Sequence, residues 1–316
     1  MKSLNMYCKN VEIFGIRFDL ISNSSDFING GLEIKLQQKF QENARILENG
    51  LRTADFYCYI IDDDLPLKFV RGENDLLIRG NISELEKEYG EVHSILRYFI
   101  YNYMLSCLES KLGMFNIHAS SVVGGHDYDK VLLFIGPSGC GKTSCMLSAV
   151  DRGYAILGND ISSIQQNNGN FIFYPTSSFS PVERRIFENF DMAKEVVIDN
   201  EKENGRYKIP IDLNSFSYRK KIINPDLTVV FPHIIDNAEV AVLSCENKRK
   251  AASRIYEQIT ERIRNIGLLY YALPVPSLDT EEQMVKRADF SKNLMNFAKR
   301  IVYVRGDAQK IMEEIK

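Results

Sequence analysis

The run Gly136-Pro137-Ser138-Gly139-Cys140-Gly141-Lys142-Thr143 fits the spacing G-x-x-x-x-G-K-[ST] at every fixed position. Such a segment suits the gripping of a phosphate chain, a fortuitous glycine-rich turn between strand and helix being the alternative. Gly136, Gly139 and Gly141 let the backbone curl tightly and keep side chains away from the place a phosphate must approach. The amides then point inward as an anion nest, strengthened by the N-terminus of the helix that follows. Lys142 is expected to reach the β- and γ-phosphates, and Thr143 to offer its hydroxyl to Mg²⁺. Ser138 adds backbone and hydroxyl contacts, and Pro137, Cys140 and Ser144 complete the set expected to line the nucleotide.

Two further residues lie where that chemistry needs them. Tyr154-Ala155-Ile156-Leu157-Gly158-Asn159-Asp160 reads as a buried strand ending in a carboxylate just past the helix after the glycine-rich loop. Asp160 there is expected to face Mg²⁺ and the γ-phosphate, holding a metal-bound water or accepting a hydroxyl proton. A turn residue opening the next strand is the alternative reading of Asp160. His118, in Asn116-Ile117-His118-Ala119-Ser120, precedes the strand before the loop. Pairing through a hairpin brings it toward the same end of the sheet. A purely structural histidine is the alternative there.

These residues need a frame to hold them. Residues 131–135 form a short, fully apolar strand of the kind buried inside a sheet, and residues 142–152 a helix stopped by Gly153. Residues 114–123 read as one strand, followed by the polar turn Gly124-Gly125-His126-Asp127. Residues 161–165 and 170–174 flank Asn167-Asn168-Gly169, a hairpin signal. Later strands are expected at 227–231, 240–243 and 301–304, and helices at 248–265, 281–300 and 307–315. Upstream, apolar residues alternate through 11–20 with a phase change at Gly15, and 56–61 and 76–78 are further strand candidates. From Leu85 to Leu112 apolar residues recur at three- and four-residue steps, as in a helix stopped by Gly113. The expected fold is α/β. A nucleotide-binding catalytic domain over 89–316 follows a smaller mixed, mostly β N-terminal domain over 1–88.

Composition sets the outer bounds. Of 316 residues, 45% are hydrophobic and 26% charged, which excludes a disordered, collagenous or disulfide-scaffold chain. Lys plus Arg is 39 against Asp plus Glu 42, a net charge of −3, so the basic excess of a general nucleic-acid binder is missing. Six cysteines are scattered without CxxC pairs, and the first ten residues hold no apolar leader segment. The stretch 95–108, interrupted by Arg97 and Asn102, is too short to span a bilayer. These features lead us to expect a cytoplasmic protein that engages neither nucleic acid nor membrane.

An ordered set of features now resembles the HPr serine kinase/phosphorylase family and the related phosphoenolpyruvate carboxykinase-like P-loop folds. It comprises His118-Ala119-Ser120, a polar hairpin, the apolar strand and loop, Arg152-Gly153, and a strand with an acidic end. It covers residues 114–175 well and the remainder in outline. The family shows two adjacent aspartates where this chain has Asn159-Asp160. It shows Glu-x-Arg-Gly where this chain has Pro181-Val182-Glu183-Arg184-Arg185, without the glycine. A divergent relative is implied, with a P-loop domain of the HPr kinase C-terminal type. The resemblance implies transfer of the γ-phosphoryl of ATP to a hydroxyl acceptor: serine in a peptide or protein, or a small hydroxyl compound. It implies Asp160, His118 and Lys142 as catalytic residues, and Thr143, Asp160 and Glu183 around Mg²⁺. A homo-oligomer is a further implication. The alternative is a regulatory or scaffold protein that binds nucleotide without phosphotransfer. The Leu-Ser-Gly-Gly-Gln signature that a transporter ATPase needs is missing from the chain.

Overall fold

The computed structural model of the protein describes residues 5–47, 53–126, 128–177, 179–182, 187–194, 209–265 and 273–315. The chain is mixed α/β and divides into two compact units. One is Met1–Leu112 with Thr260–Thr280, and the other is Gly113–Ile259 with Glu281–Lys316. The division therefore falls at 112/113 rather than at 88/89, because the long helix before Gly113 packs with the N-terminal sheet, and a second segment returns to that unit.

The N-terminal unit opens with β1 (Tyr7–Ile13) and β2 (Ile16–Ser22). Phe14 and Gly15 both take positive φ, 51° and 81°, so the phase change at Gly15 is a two-residue hairpin turn. Next come α1 (Ser25–Ile28), α2 (Leu32–Phe40), β3 (Ala44–Leu47), β4 (Phe56–Asp62), β5 (Lys68–Arg71) and β6 (Asp75–Gly80). The six strands form one sheet in the order β3-β1-β2-β4-β6-β5. The helical pattern expected as one run is two helices, α3 (Ile82–Tyr89) and α4 (Val92–Leu112), because Gly90 adopts a left-handed φ of 72° and ends the first. Rings join α4 to the sheet, with Phe56 against Tyr103 and Phe69 against Phe99. The returning segment is held by Asn102 Nδ2 donating to Asn265 Oδ1 at 2.8 Å and by Arg71 donating to the Leu278 carbonyl.

In the second unit the strand expected over 114–123 is two strands, β7 (Met114–Ile117) and β8 (Ala119–Gly124), with His118 at the break. They are followed by β9 (Lys130–Ile135), α5 (Lys142–Val150), β10 (Ala155–Gly158), β11 (Ser162–Asn167) and β12 (Asn170–Tyr174). Then come β13 (Phe179–Val182), β14 (Ile209–Asp212), β15 (Ile222–Ile223), β16 (Asp226–Ile234) and β17 (Ala241–Ser244). The unit closes with α6 (Lys248–Ile263, whose last residues fall in the first unit), α7 (Glu281–Phe297), β18 (Arg300–Gly306) and α8 (Ala308–Glu314). A six-stranded sheet runs β10-β8-β9-β16-β18-β17, and a four-stranded one runs β15-β12-β11-β7.

The period of two in the central strands makes the layers. Val131, Leu133 and Ile135 point to one face and join Ala251, Ile255 and Ile259 of α6 and Phe290 and Leu294 of α7. Leu132 and Phe134 point to the other and join Cys145, Met146 and Ala149 of α5 and Ile311 and Met312 of α8. A strand apolar on both faces is what a sheet covered on both sides demands. Each buried Leu, Ile, Val or Phe in these layers contributes about 1.5–3 kcal/mol.

Candidate functional site

β9 is parallel to β16, β16 is parallel to β18, and β8 is antiparallel to both β9 and β10. The carboxyl ends of β9, β10, β16 and β18 therefore share one edge with the start of β8. Open α/β sheets place ligands at such an edge. The glycine-rich loop leaves β9 there and enters α5, whose N-cap is Gly141 with a left-handed φ of 98°. A Cβ at Gly141 would collide with the Ile234 side chain, so the close passage of β16 under the loop requires glycine. The Ile234 amide donates to the Cys140 carbonyl at 3.1 Å and fixes the loop to that strand.

Gly141, the N-cap of α5, has no side chain to cap the first turn, and that turn carries no acidic residue. Amides at a helix N-terminus have no carbonyl partner within the helix and suit an anion. Pro137, Ser138 and Gly139 are exposed, and Thr143 and Ser144 are half-buried. Lys142 is only 7% exposed. Its Nζ donates to the carbonyls of Gly136 at 2.7 Å and Pro137 at 3.0 Å, folded back over the loop it serves. Burial raises the Cys140 thiol pKa, with the Lys142 charge pulling the other way.

His118 and Asp160 occupy two matching corners. At His118 the chain leaves the four-stranded sheet and enters the six-stranded one, and at Asn159-Asp160 it makes the reverse crossing. The corners face each other because β7 pairs with β11 and β8 pairs with β10. His118 Nε2 lies 3.5 Å from Asp160 Oδ1, with the two side chains 15% and 33% exposed. Register places Ala119 opposite Ile135, so His118 sits beside the point where β9 becomes the loop.

Asn159 and Asp160 have different environments. Asn159 is 2% exposed, and its Oδ1 accepts from Ser120 Oγ at 2.8 Å. Asp160 takes a left-handed φ of 63°, which turns its carboxylate outward toward His118. The turn is braced from behind. The Thr176 amide donates to the Leu157 carbonyl at 2.8 Å, Thr176 Oγ1 donates to the Ile161 carbonyl at 2.5 Å, and the Asn159 amide donates to the Ser177 carbonyl at 2.7 Å. A Cβ at Gly158 would lie 2.6 Å from the Ile161 carbonyl oxygen and collide with Thr176.

Thr143 and Asp160 supply hard oxygen donors suited to Mg²⁺. Among the described residues no group of three or more His, Cys, Asp or Glu is arranged to hold a metal. Glu183, Arg184 and Arg185 lie outside the described residues. Two contributors had no sequence signal. One is the Ile234 amide under the loop. The other is Gln258 of α6, whose carbonyl accepts the His118 amide at 3.3 Å. Both act through backbone groups, which nearly every residue type supplies.

No family model and no curated protein matches the chain. Among solved structures it shows a likeness to the HPr(Ser) kinase/phosphatase from Coxiella burnetii. The identity is 14%, over 41% of this chain and 77% of that one, with a TM-score of 0.23. A likeness that weak carries no argument about what this chain does. Among the described residues no helix is long and apolar enough to cross a membrane.

Proposed function

We propose that this protein binds ATP with Mg²⁺ through residues 136–143 and transfers the γ-phosphoryl group to a hydroxyl acceptor. The family it resembles in sequence does this chemistry. The observation that carries the reading is the placement of the His118–Asp160 pair at the same strand edge as the loop, 3.5 Å apart. Phosphoryl transfer asks a protein for positioning and charge neutralisation and for little covalent chemistry. The loop amides and Lys142 hold the phosphate chain. Asp160 orients the acceptor hydroxyl and takes its proton, and His118 holds that carboxylate in place. Thr143 and Asp160 would hold Mg²⁺, which when bound neutralises charge on the phosphate oxygens. The P-loop domain is read as the HPr kinase C-terminal type.

Incubation with ATP, Mg²⁺ and a panel of serine, serine peptides and small hydroxyl compounds tests this. The expected result is an 80-dalton gain on one acceptor class, formed about 10²–10³-fold more slowly in Lys142→Met. Binding of ATP without transfer to any acceptor would favour the second reading, a nucleotide-responsive regulatory or scaffold protein. The observation favouring that one is Asn159, an amide engaged with Ser120 at a position where the family carries a carboxylate.

A further inference from the structure

The edge that carries the loop also opens into a cavity of about 650 Å³, the size of a small-molecule site. Gly136, Pro137 and Cys140 of the loop line it on one side, and Gln258 of α6 forms part of its wall. The Gln258 carbonyl accepts the His118 amide at 3.3 Å. The cavity therefore adjoins both the glycine-rich loop and the corner that holds His118 and Asp160. One turn back along α6 stands Arg254, whose guanidinium lies 5.4 Å and 4.7 Å from the centroids of the stacked Phe231 and Tyr303 rings. Stacking engages only the faces of a guanidinium and leaves its in-plane N–H groups for a ligand. Arg305 of β18 also lines the cavity, in register with His233 of β16. Among the described residues neither Arg254 nor Arg305 has a carboxylate within ion-pair distance. Glu257 is the one acidic side chain among the described residues that line the cavity. With His233 neutral, two guanidinium groups against one carboxylate leave a single positive charge in excess. That balance suits one carboxylate, which a guanidinium grips with two parallel hydrogen bonds. A phosphate dianion would put a surplus negative charge beside the γ-phosphate.

We propose that this cavity holds the phosphoryl acceptor, and that the acceptor is a small hydroxyl compound bearing one carboxylate, gripped by Arg254 and Arg305. The inference rests on the phosphotransfer reading above and narrows its acceptor. A serine inside a peptide has no carboxylate of its own to offer these groups, and the volume selects a small molecule over a folded protein. With the carboxylate anchored on the β16–β18 side, the hydroxyl is directed toward His118 and Asp160. Its oxygen bonds to the γ-phosphorus as the bond from that phosphorus to the β–γ bridging oxygen breaks. Its proton passes to the Asp160 carboxylate, and ADP leaves.

Transfer assays with ATP and Mg²⁺ decide the matter. They compare glycolate, D-glycerate, L-serine, L-threonine and L-homoserine with the amide of each, with glycerol 3-phosphate and with a serine peptide blocked at both ends. At least one acid is expected to be phosphorylated with kcat/KM about 10–100-fold above that of its amide, the scale of hydrogen bonds to a charged group. Arg254→Gln and Arg305→Gln should each raise the KM of that acid about tenfold, with the KM for ATP unchanged. Equal use of acid and amide, or a preference for glycerol 3-phosphate or the blocked peptide, overturns the carboxylate site and leaves the kinase reading standing. A rise in the KM for ATP alone in these variants assigns the cavity to the nucleotide and also overturns it. Transfer to none of the compounds overturns the proposal, and calorimetric titration of ATP with Mg²⁺ then shows whether the triphosphate site falls with it. The wild-type series is decisive by itself should either variant fold poorly.

Discussion

His118 Nε2 and Asp160 Oδ1 lie 3.5 Å apart on two adjacent corners, each at a point where the chain passes between the four-stranded and the six-stranded sheet. Two paired strands that bend together carry their corner residues together, so the contact follows from the pairing of β7 with β11 and β8 with β10. A histidine–aspartate contact built into the crossing of two sheets is held by the strand pairing on both sides.

If Asp160 takes the acceptor's proton, Asp160→Asn slows transfer by about 10²–10⁴-fold. Nucleotide affinity should hold, because the loop amides and Lys142 are untouched. His118→Asn should slow transfer less, and the double variant should be slower by less than the product of the two, since both side chains act as one unit. Single-turnover kinetics and nucleotide titration on the four proteins check this. Independent, multiplicative effects would sink the pair.

Lys142→Met removes the charge that now sits on the Gly136 and Pro137 carbonyls at 2.7 and 3.0 Å. Loss of one preorganised donor to developing charge costs about 10²–10³-fold in turnover. Phosphate release and transfer assays with purified variant measure it, and full turnover would contradict the assignment.

Gly158→Ala tests the brace behind the site. Its methyl would lie 2.6 Å from the Ile161 carbonyl oxygen and collide with Thr176. Overpacking of this kind costs about 1–3 kcal/mol, read from urea unfolding. The same shift displaces Asp160, so transfer should fall more than nucleotide binding. Gly141→Ala should instead lose triphosphate binding, because φ of 98° and the Ile234 side chain both forbid the methyl.

Alkaline pH should weaken the N-terminal unit. Burial pushes the Cys107 thiol up to about 12 from its ordinary 9.0, against the opposing pull of the Tyr103 hydrogen bond and Arg71. Above the ordinary value the unfolded chain gives up this proton while the folded chain keeps it. Unfolding free energy therefore falls as pH rises, by about 1.4 kcal/mol per pH unit for one such thiol. The loss begins near 9 and is complete near 12. Urea melts at a series of pH values from 8 to about 10.5 measure the slope. Cys107→Ala is expected to reduce the slope and leave a remainder, because burial also raises the thiol of Cys58.

Much of the frame was legible because it is local. The loop shows itself by glycine spacing, and the hairpin at Asn168-Gly169 by residues that tolerate positive φ, 49° and 81° here. The strand at 131–135 shows itself by an unbroken apolar run that only a doubly covered sheet can use. The break at His118 was hidden. Its immediate neighbours Ile117 and Ala119 are buried and apolar and both strands are buried throughout, so nothing in the pattern marks the change of sheet. The division at 112/113 was hidden for a related reason. The helix α4 is apolar on most sides, and its pattern does not say which unit it packs in.

What the sequence determined by itself is the loop at 136–143, because a glycine-rich turn is specified by neighbouring residues and their permitted backbone angles. Only the tertiary structure decided that Asn159 turns inward to Ser120 while Asp160 turns outward to His118. It alone also placed Gln258 and the stacked rings of Phe231 and Tyr303 beside the loop. Those relations come from strand pairing and helix packing between segments far apart in the chain. Such contacts depend on which surfaces are buried together, and a local residue pattern carries no record of that.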